Sequence, residues 1–146
     1  EEEKEMRQLI YAVMICAGIV SCTLETSDNG KLDGFWQLRQ LDSLPGNVAT
    51  DMHDADIYWS VQRHLLEVKR IDYYGIFFRF NQSEDSLVIY DPYMDMRDSS
   101  DIKLTDPSYL SPIGLEGLAD TFAIKVLTSD KMILESKSRR LYFRKY

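Results

Sequence analysis

Residues 34–41, GFWQLRQL, decide the fold class of this chain, because their apolar and polar side chains alternate. Trp36 and Leu38 would lie on one face of an extended chain, and the polar side chains beside them on the other. Residues 57–62, IYWSVQ, alternate in the same way. A period of two over such short segments is typical of strands with one buried face. The sequence therefore predicts an all-β fold.

Six further segments have the composition or the alternation of strands. They are residues 65–70, 73–80, 86–90, 121–127, 131–135 and 139–146. Residues 91–117 break the pattern, because they hold three of the four prolines and many acidic residues. We expect a long loop there, with a short helical turn near residues 109–118. An antiparallel meander of about eight strands usually closes into a barrel, since closure removes exposed strand edges.

Parity along each strand predicts which side chains point into the barrel. The inward set is Trp36, Leu38, Ile57, Trp59, Val61, Leu66, Val68, Ile76, Phe78, Phe80, Phe122, Ile124, Val126, Met132, Leu134, Leu141 and Phe143. An eight-stranded barrel is either filled by such side chains or holds one small ligand. The aromatic residues of strands two, four and five can therefore form a packed core or line a hydrophobic pocket, and in so small a barrel we favour the packed core.

The opening Gly34-Phe35-Trp36 is similar to the Gly-x-Trp signature of lipocalins. Residues 33–146 as a whole resemble the lipocalin-like lipoproteins of Bacteroides and its relatives. The resemblance rests on the segments GFWQL, IYWSVQ, SLVIY and KMILESKSRRLYFRKY, in that order. It implies an eight-stranded, antiparallel, up-and-down lipocalin-like (calycin) β-barrel with little helix, formed by residues 33–146.

The resemblance also implies how one end of the barrel is closed. Gly34 and Trp36 would lie at that end, with a basic side chain of the last strand packed across the indole. Arg144 has the expected identity and is slightly favoured. Strand parity, however, points Lys145 inward, and a bulge in the strand would decide between the two.

Ligand contacts are then expected toward the opposite, open end. Leu38 approaches that end as the first strand runs away from the closed end, and Ile57 and Trp59 would lie near it as the second strand returns. Phe78 and Tyr90 complete the set of ligand-binding candidates, of which Trp59 is the first choice. Residues 91–117 would form a rim or a lid.

Two functional hypotheses follow from this barrel. The leading one is a binding protein for a small apolar or amphipathic molecule, and the alternative is a non-catalytic protein–protein interaction module of the envelope with a solid barrel. A cavity of about 300 Å³ or more with convergent polar groups would favour the first. A filled interior with an exposed apolar patch would favour the second.

Residues 6–22, MRQLIYAVMICAGIVSC, have the features of a bacterial lipoprotein signal. Basic Arg7 precedes an apolar run of about a dozen residues, whereas a membrane-spanning helix needs about 20. The final Ile-Val-Ser-Cys suits a peptidase that cuts before a lipid-modified cysteine, so Cys22 is the predicted lipidation site. The alternative is an amphipathic or buried N-terminal helix with an incidental cysteine.

On the lipoprotein interpretation, residues 1–21 are a signal peptide and residues 22–32 are a flexible tether to the membrane. We expect translation to start at Met6, because acidic residues 1–5 are unlike the basic start of a signal. Thr23, in place of an inner-membrane retention aspartate, favours the outer membrane, with the domain facing the periplasm or the cell surface.

Composition and motifs exclude several classes of function. Removal of residues 1–21, with four acidic and two basic residues, would change the net charge from −7 to −5. An acidic domain argues against a nucleic-acid partner. The chain has no nucleophile–base constellation, phosphate-binding glycine loop or paired Cys/His pattern, so we expect neither an enzyme nor a cofactor. Acidic residues in segments 51–56 and 91–101 could ligate a cation, but we interpret both as solvated loops and predict no metal.

Overall fold

The computed structural model describes residues 28–146, a range that contains ten strands and three short 3₁₀ helices. The strands are Gly34–Ser43 (β1), Val48–Asp51 (β2), Ile57–Gln62 (β3), Leu65–Arg70 (β4), Ile76–Gln82 (β5), Ser86–Met94 (β6), Ile102–Lys103 (β7), Asp120–Leu127 (β8), Lys131–Glu135 (β9) and Arg139–Lys145 (β10). The 3₁₀ helices are Gly30–Leu32 (η1), His53–Ala55 (η2) and Pro107–Ile113 (η3).

Eight of these strands close into one antiparallel barrel. Their order is β10-β9-β8-β6-β5-β4-β3-β1, and β10 pairs with β1 to complete the ring. The short strands β2 and β7 pair with β1 and β6 and extend the sheet beside the ring. The eight ring strands correspond to the eight segments predicted from the sequence, so the all-β barrel is confirmed.

The period of two accounts for most of the barrel interior. In β3, the side chains of Ile57, Trp59 and Val61 are buried, whereas those between them are partly exposed. A register shift between β8 and β9 interrupts this parity. Val126, predicted to point inward, is consequently not part of the core, and Leu127 packs against the core in its place.

A second register shift, between β5 and β6, changes the parity of β6. Leu87 and Ile89 are fully buried, and Asp91 has a positive φ of 50° at the irregularity. Tyr90 lies opposite Arg79 on β5 and is only partly buried, so its predicted place in an interior pocket is wrong. Phe80, which pairs with Ile89, is partly buried against the core.

The described part of the chain begins at the closed end of this barrel. Residues 30–32, predicted as the end of the tether, form η1, and the Leu32 side chain is fully buried in the core. The folded domain therefore begins before Asp33, its predicted start. The predicted signal peptide and Cys22 lie outside the described residues. Within residues 28–146, no helix is long and apolar enough to span a membrane.

Candidate functional site

One end of the barrel is closed by side chains that the strands themselves carry. The indole N–H of Trp36 donates a hydrogen bond to the Leu32 carbonyl at 2.8 Å. The Lys145 ammonium lies 4.6 Å from the centroid of the Trp36 ring and donates to the Lys31 carbonyl at 3.2 Å. This cation–π contact holds the last strand across the first residues of the domain.

The same geometry decides which basic residue closes the barrel. Trp36 pairs with Lys145 in the β1–β10 ladder, so Lys145 shares the inner face with Phe143, whereas Arg144 is exposed. Arg144, slightly favoured from the resemblance, therefore does not cover the indole. Gly34 has a φ of +128°, and a Cβ there would lie 3.0 Å from the Lys145 Cε. A glycine is required at this position both by its backbone conformation and by the lysine packed against it.

The opposite end of the barrel is covered by residues 104–115, which we call the lid. Asp106 caps η3 by accepting a hydrogen bond from the Ser108 N–H at 2.9 Å, and Gly114 ends the helix with a φ of 81°. Four apolar side chains of the lid point into the barrel and are buried: Leu104, Leu110, Ile113 and Leu115. The expected loop with a short helical turn is therefore an apolar cover.

The lid lies directly over two residues of β1. A Cβ at Gly114 would lie 3.6 Å from a methyl group of Leu41 and 3.7 Å from one of Leu38. Leu38, predicted to approach the open end, is thus beneath the lid. Ile57 pairs with Arg70, whose guanidinium donates to the Pro112 carbonyl at 3.4 Å, so this strand pair also reaches the lid.

Polar side chains of the β9–β10 turn hold the lid on one side. The Arg139 guanidinium donates to the Gly114 carbonyl through Nη1 and lies 3.0 Å from a Glu116 carboxylate oxygen through Nε. The Ser138 hydroxyl donates to the other Glu116 oxygen. These contacts join the C-terminal end of the lid to the rim of the barrel. The next residue, Arg140, faces away from the lid and pairs with Glu135.

A cleft of about 550 Å³ opens beside the other edge of the lid, between the loops that follow β4 and β6. The Tyr73 hydroxyl, at its edge, donates to the Tyr109 carbonyl of the lid at 3.2 Å. Burial, followed by the neighbouring Tyr109 and Tyr74, raises the pKa of Tyr73, so this phenol stays neutral and able to donate. Six charged residues line the cleft: Glu67, Lys69, Asp72, Asp95, Arg97 and Asp98.

The interior between the two ends is occupied by buried side chains. Trp59 lies opposite Trp36 in the β1–β3 ladder, so it belongs to the closed half, and its predicted position near the mouth is wrong. Its ring centroid is 4.9 Å from that of Phe143 and 6.0 Å from that of Phe122. Phe78 is also fully buried. The arrangement is a packed core at the level of Trp59.

Trp59 is nevertheless unusual among the described residues. Its indole Nε1 is buried and has no hydrogen-bond partner within residues 28–146. A buried N–H without a partner costs about 1–3 kcal/mol. Trp36, the other indole of the described range, satisfies its N–H through Leu32. The barrel thus holds one free donor in an otherwise apolar interior.

Three carboxylates of the two acidic segments have partners close by in the chain or on a neighbouring strand. An Asp51 oxygen accepts from the His53 N–H at 2.9 Å, and the His53 ring nitrogen lies 3.3 Å from Asp54. Asp91 lies 3.5 Å from the Lys103 ammonium. Across residues 28–146, no three His, Cys, Asp or Glu side chains converge in a manner that could hold a metal ion.

Comparisons with known proteins agree with this architecture. Residues 14–146 match a family described as the lipocalin-like domain. A crystal structure of a lipocalin-like protein from Bacteroides uniformis superposes with a TM-score of 0.62 at 19% identity, covering 80% of this chain and 100% of that one. An uncharacterized protein from Bacteroides eggerthii superposes with a TM-score of 0.59 at 21% identity, covering 78% and 98%. At these identities the two structures show a shared fold alone. No protein of curated function matches the chain significantly.

Proposed function

This chain belongs to the lipocalin-like domain family, and from that premise we propose that it is a lipid-anchored cell-envelope protein whose barrel binds a small apolar or amphipathic molecule beneath the lid. The observation that carries the proposal is the lid itself. Three of its buried side chains, Leu110, Ile113 and Leu115, lie in or just after η3 rather than in a strand, so they can leave the barrel without breaking a strand ladder.

The apolar underside of the lid supports a ligand of the same character. Opening the lid without a ligand would expose Leu110, Ile113 and Leu115 to water. The cost is a transfer free energy of about 2 kcal/mol for each side chain. An apolar ligand that took their place against Leu38 and Leu41 would offset most of that cost. A polar ligand would not, so the proposed occupant has an apolar portion at least as large as a few aliphatic side chains.

Two polar features support an amphipathic molecule rather than a hydrocarbon. The unpartnered Trp59 N–H is a donor that an oxygen atom of a ligand can satisfy. The charged cleft beside the lid offers a second polar environment, whose four carboxylates and two basic groups suit a polar head group without net negative charge. A molecule with an apolar body and one or two acceptor oxygens fits both.

The sequence before the described residues supports the envelope location. A basic residue, a short apolar run and Ile19-Val20-Ser21-Cys22 are the arrangement that directs lipid attachment to a cysteine. We therefore place the lipid on Cys22 and the protein on the outer membrane. Cys22→Ala should release the domain from membranes without altering its fold, and a variant that stays membrane-bound and uncleaved would contradict the anchor.

Ligand binding is tested by native mass spectrometry of residues 23–146, which contain the whole barrel, after incubation with an extract of the source bacterium. We expect a reproducible added mass that is reduced by Trp59→Phe, because this change removes the free N–H and keeps most of the ring. Trp36→Phe is the matched control, since that N–H already has a protein acceptor. A bare protein mass in every sample would refute ligand binding.

A further inference from the structure

Three aromatic side chains form an exposed cluster on the outside of the closed end, which we call the aromatic triad. The Phe35 and Tyr58 rings are stacked, with centroids 4.9 Å apart and an interplanar angle of 7°. The Tyr146 ring meets both edge-on, at 6.0 and 5.9 Å. Phe35 is 42% exposed and Tyr146 is 83% exposed. The domain therefore holds apolar rings in a fixed arrangement in water, where burial would be favourable.

The triad lies beside the point where the described chain begins. The Tyr146 N–H donates to the Phe35 carbonyl at 2.8 Å, and the Lys145 ammonium donates to the Lys31 carbonyl. The Asn29 side chain donates to the Arg63 carbonyl of the β3–β4 turn at 2.8 Å. These contacts fix residues 29–31 to the closed end of the barrel, next to the triad.

The length of chain before this point limits how far the closed end can lie from the membrane. Five residues lie between Cys22 and Asp28. The six steps from one Cα to the next span at most about 3.6 Å each in a fully extended chain, or roughly 20 Å in all. This step rests on the proposed lipid anchor at Cys22. Given that anchor, the closed end with its triad faces the bilayer, and the lid is at the far end of the barrel.

We propose that the aromatic triad docks on the lipid head-group region and sets the orientation of the barrel on the membrane. Tyrosine rings are favoured at this interface, because an apolar ring and a polar hydroxyl meet different environments there. A shallow cleft of about 290 Å³ adjoins Tyr146 and is lined by the basic side chains of Arg39, Arg144 and Lys145. Of these groups, Arg144 is exposed and adjacent to Tyr146, so its guanidinium can contact phosphate oxygens of the head groups.

The occupant is a lipid surface rather than a protein, because the tether brings that surface within reach of the triad in every anchored molecule. Docking needs no high affinity of its own, since the tether supplies a high local concentration of bilayer. The net acidic charge of the domain opposes long-range attraction to anionic lipids. We therefore expect docking on zwitterionic vesicles that persists at high salt.

Collisional quenching by brominated lipid tests this orientation. The full chain, purified from bacterial membranes, is reconstituted in zwitterionic vesicles with and without lipids brominated near the head group. Tyr146→Trp places an indole in the triad. Its contribution is the tryptophan fluorescence of the variant minus that of the unmodified protein, which contains only Trp36 and Trp59. Tyr74→Trp is the matched control, because Tyr74 is 51% exposed and lies at the opposite end.

Brominated lipid should quench the added emission of Tyr146→Trp and leave that of Tyr74→Trp unchanged, as expected for a ring at head-group depth. Equal quenching of both variants, or of neither, overturns the orientation if mass spectrometry finds the lipid on Cys22. A protein without that lipid overturns both the anchor and the orientation. The two failures are thus distinguished by one mass measurement.

Discussion

Arg139→Ala should open the lid without unfolding the barrel. The Arg139 side chain is 25% exposed, donates to the Gly114 carbonyl and pairs with Glu116. A hydrogen bond from a charged group contributes about 1.5–3 kcal/mol, and a half-exposed ion pair adds less than about 1 kcal/mol. Because the guanidinium remains partly solvated, the two contacts together contribute about 2 kcal/mol to the free energy that keeps the lid closed. That energy corresponds to a population of the open lid about 30 times larger.

Native-state hydrogen exchange measures this population residue by residue. The Gly114 N–H donates to the Ser111 carbonyl and the Leu115 N–H to the Leu110 carbonyl, both at 3.1 Å, so these two amides report on the lid. Both should exchange about 30 times faster in the variant. The amides of β3 and β4 lie in a strand ladder away from Arg139 and should keep their rates.

Arg140→Ala is the matched control for this measurement. The residue is adjacent on β10, but its guanidinium pairs with Glu135 at 2.7 Å rather than with the lid, so lid exchange should not change. Equal acceleration of lid and ladder amides in Arg139→Ala would mean global destabilisation. Unchanged lid exchange would mean that Arg139 does not hold the lid. Either result would refute the reasoning.

Other changes test the closed end and the charge near the lid. Trp36→Phe leaves the Leu32 carbonyl without its donor and should lower the free energy of unfolding in urea by about 1–3 kcal/mol. Lys145→Met should lower it by about 1 kcal/mol, whereas Arg144→Met, exposed beside it, should change it by less than about 0.5 kcal/mol. Burial is the main cause of the raised pKa of Asp120, so its charged form destabilises the fold above that pKa. Asp120→Asn should therefore raise the midpoint of thermal unfolding at pH 7, and the gain should vanish as the pH falls below the unfolded pKa near 3.8.

The ring strands could be predicted because alternation is a local property. In β3 and β4 every inward residue follows from the period of two, and Leu38 beneath the lid follows from the direction of β1. Where a register shift intervenes, the same reasoning fails. Val126 follows such an irregularity, which depends on pairing with another strand and has no signal in its own segment. Tyr90 precedes the irregularity in β6 and points outward because it alternates regularly with buried Leu87 and Ile89.

The position of a residue along the barrel axis also depends on strand pairing and not on its own segment alone. The prediction that Trp59 lies near the mouth assumes that β3 starts there. In the structure, β2 and η2 take up the chain after β1, so β3 begins opposite the middle of β1 and Trp59 pairs with Trp36. Only the pairing register contains this information.

The lid is partly recognisable from the sequence, through helix signals rather than through a period of two. Residues 104–115 have no period of two, since η3 is a 3₁₀ helix, which contains Pro112. The cap Asp106, the following proline and the terminal Gly114 are recognisable as a short helix, and the spacing of Leu110 and Ile113 gives it one apolar side. What the sequence could not show is that this side faces the barrel.

The two closures of the barrel differ in what must break for each to open. At the closed end, Trp36 and Lys145 belong to β1 and β10, so separating them requires the strand ladder that completes the ring to break. At the other end, the lid is held by buried apolar side chains and by contacts such as that of Arg139. When these contacts are lost, the ring of strands remains intact. Local opening is cheapest where the fewest ladder hydrogen bonds are lost. A ligand would therefore exchange through the lid, and on a membrane docked by the aromatic triad that route faces the aqueous side.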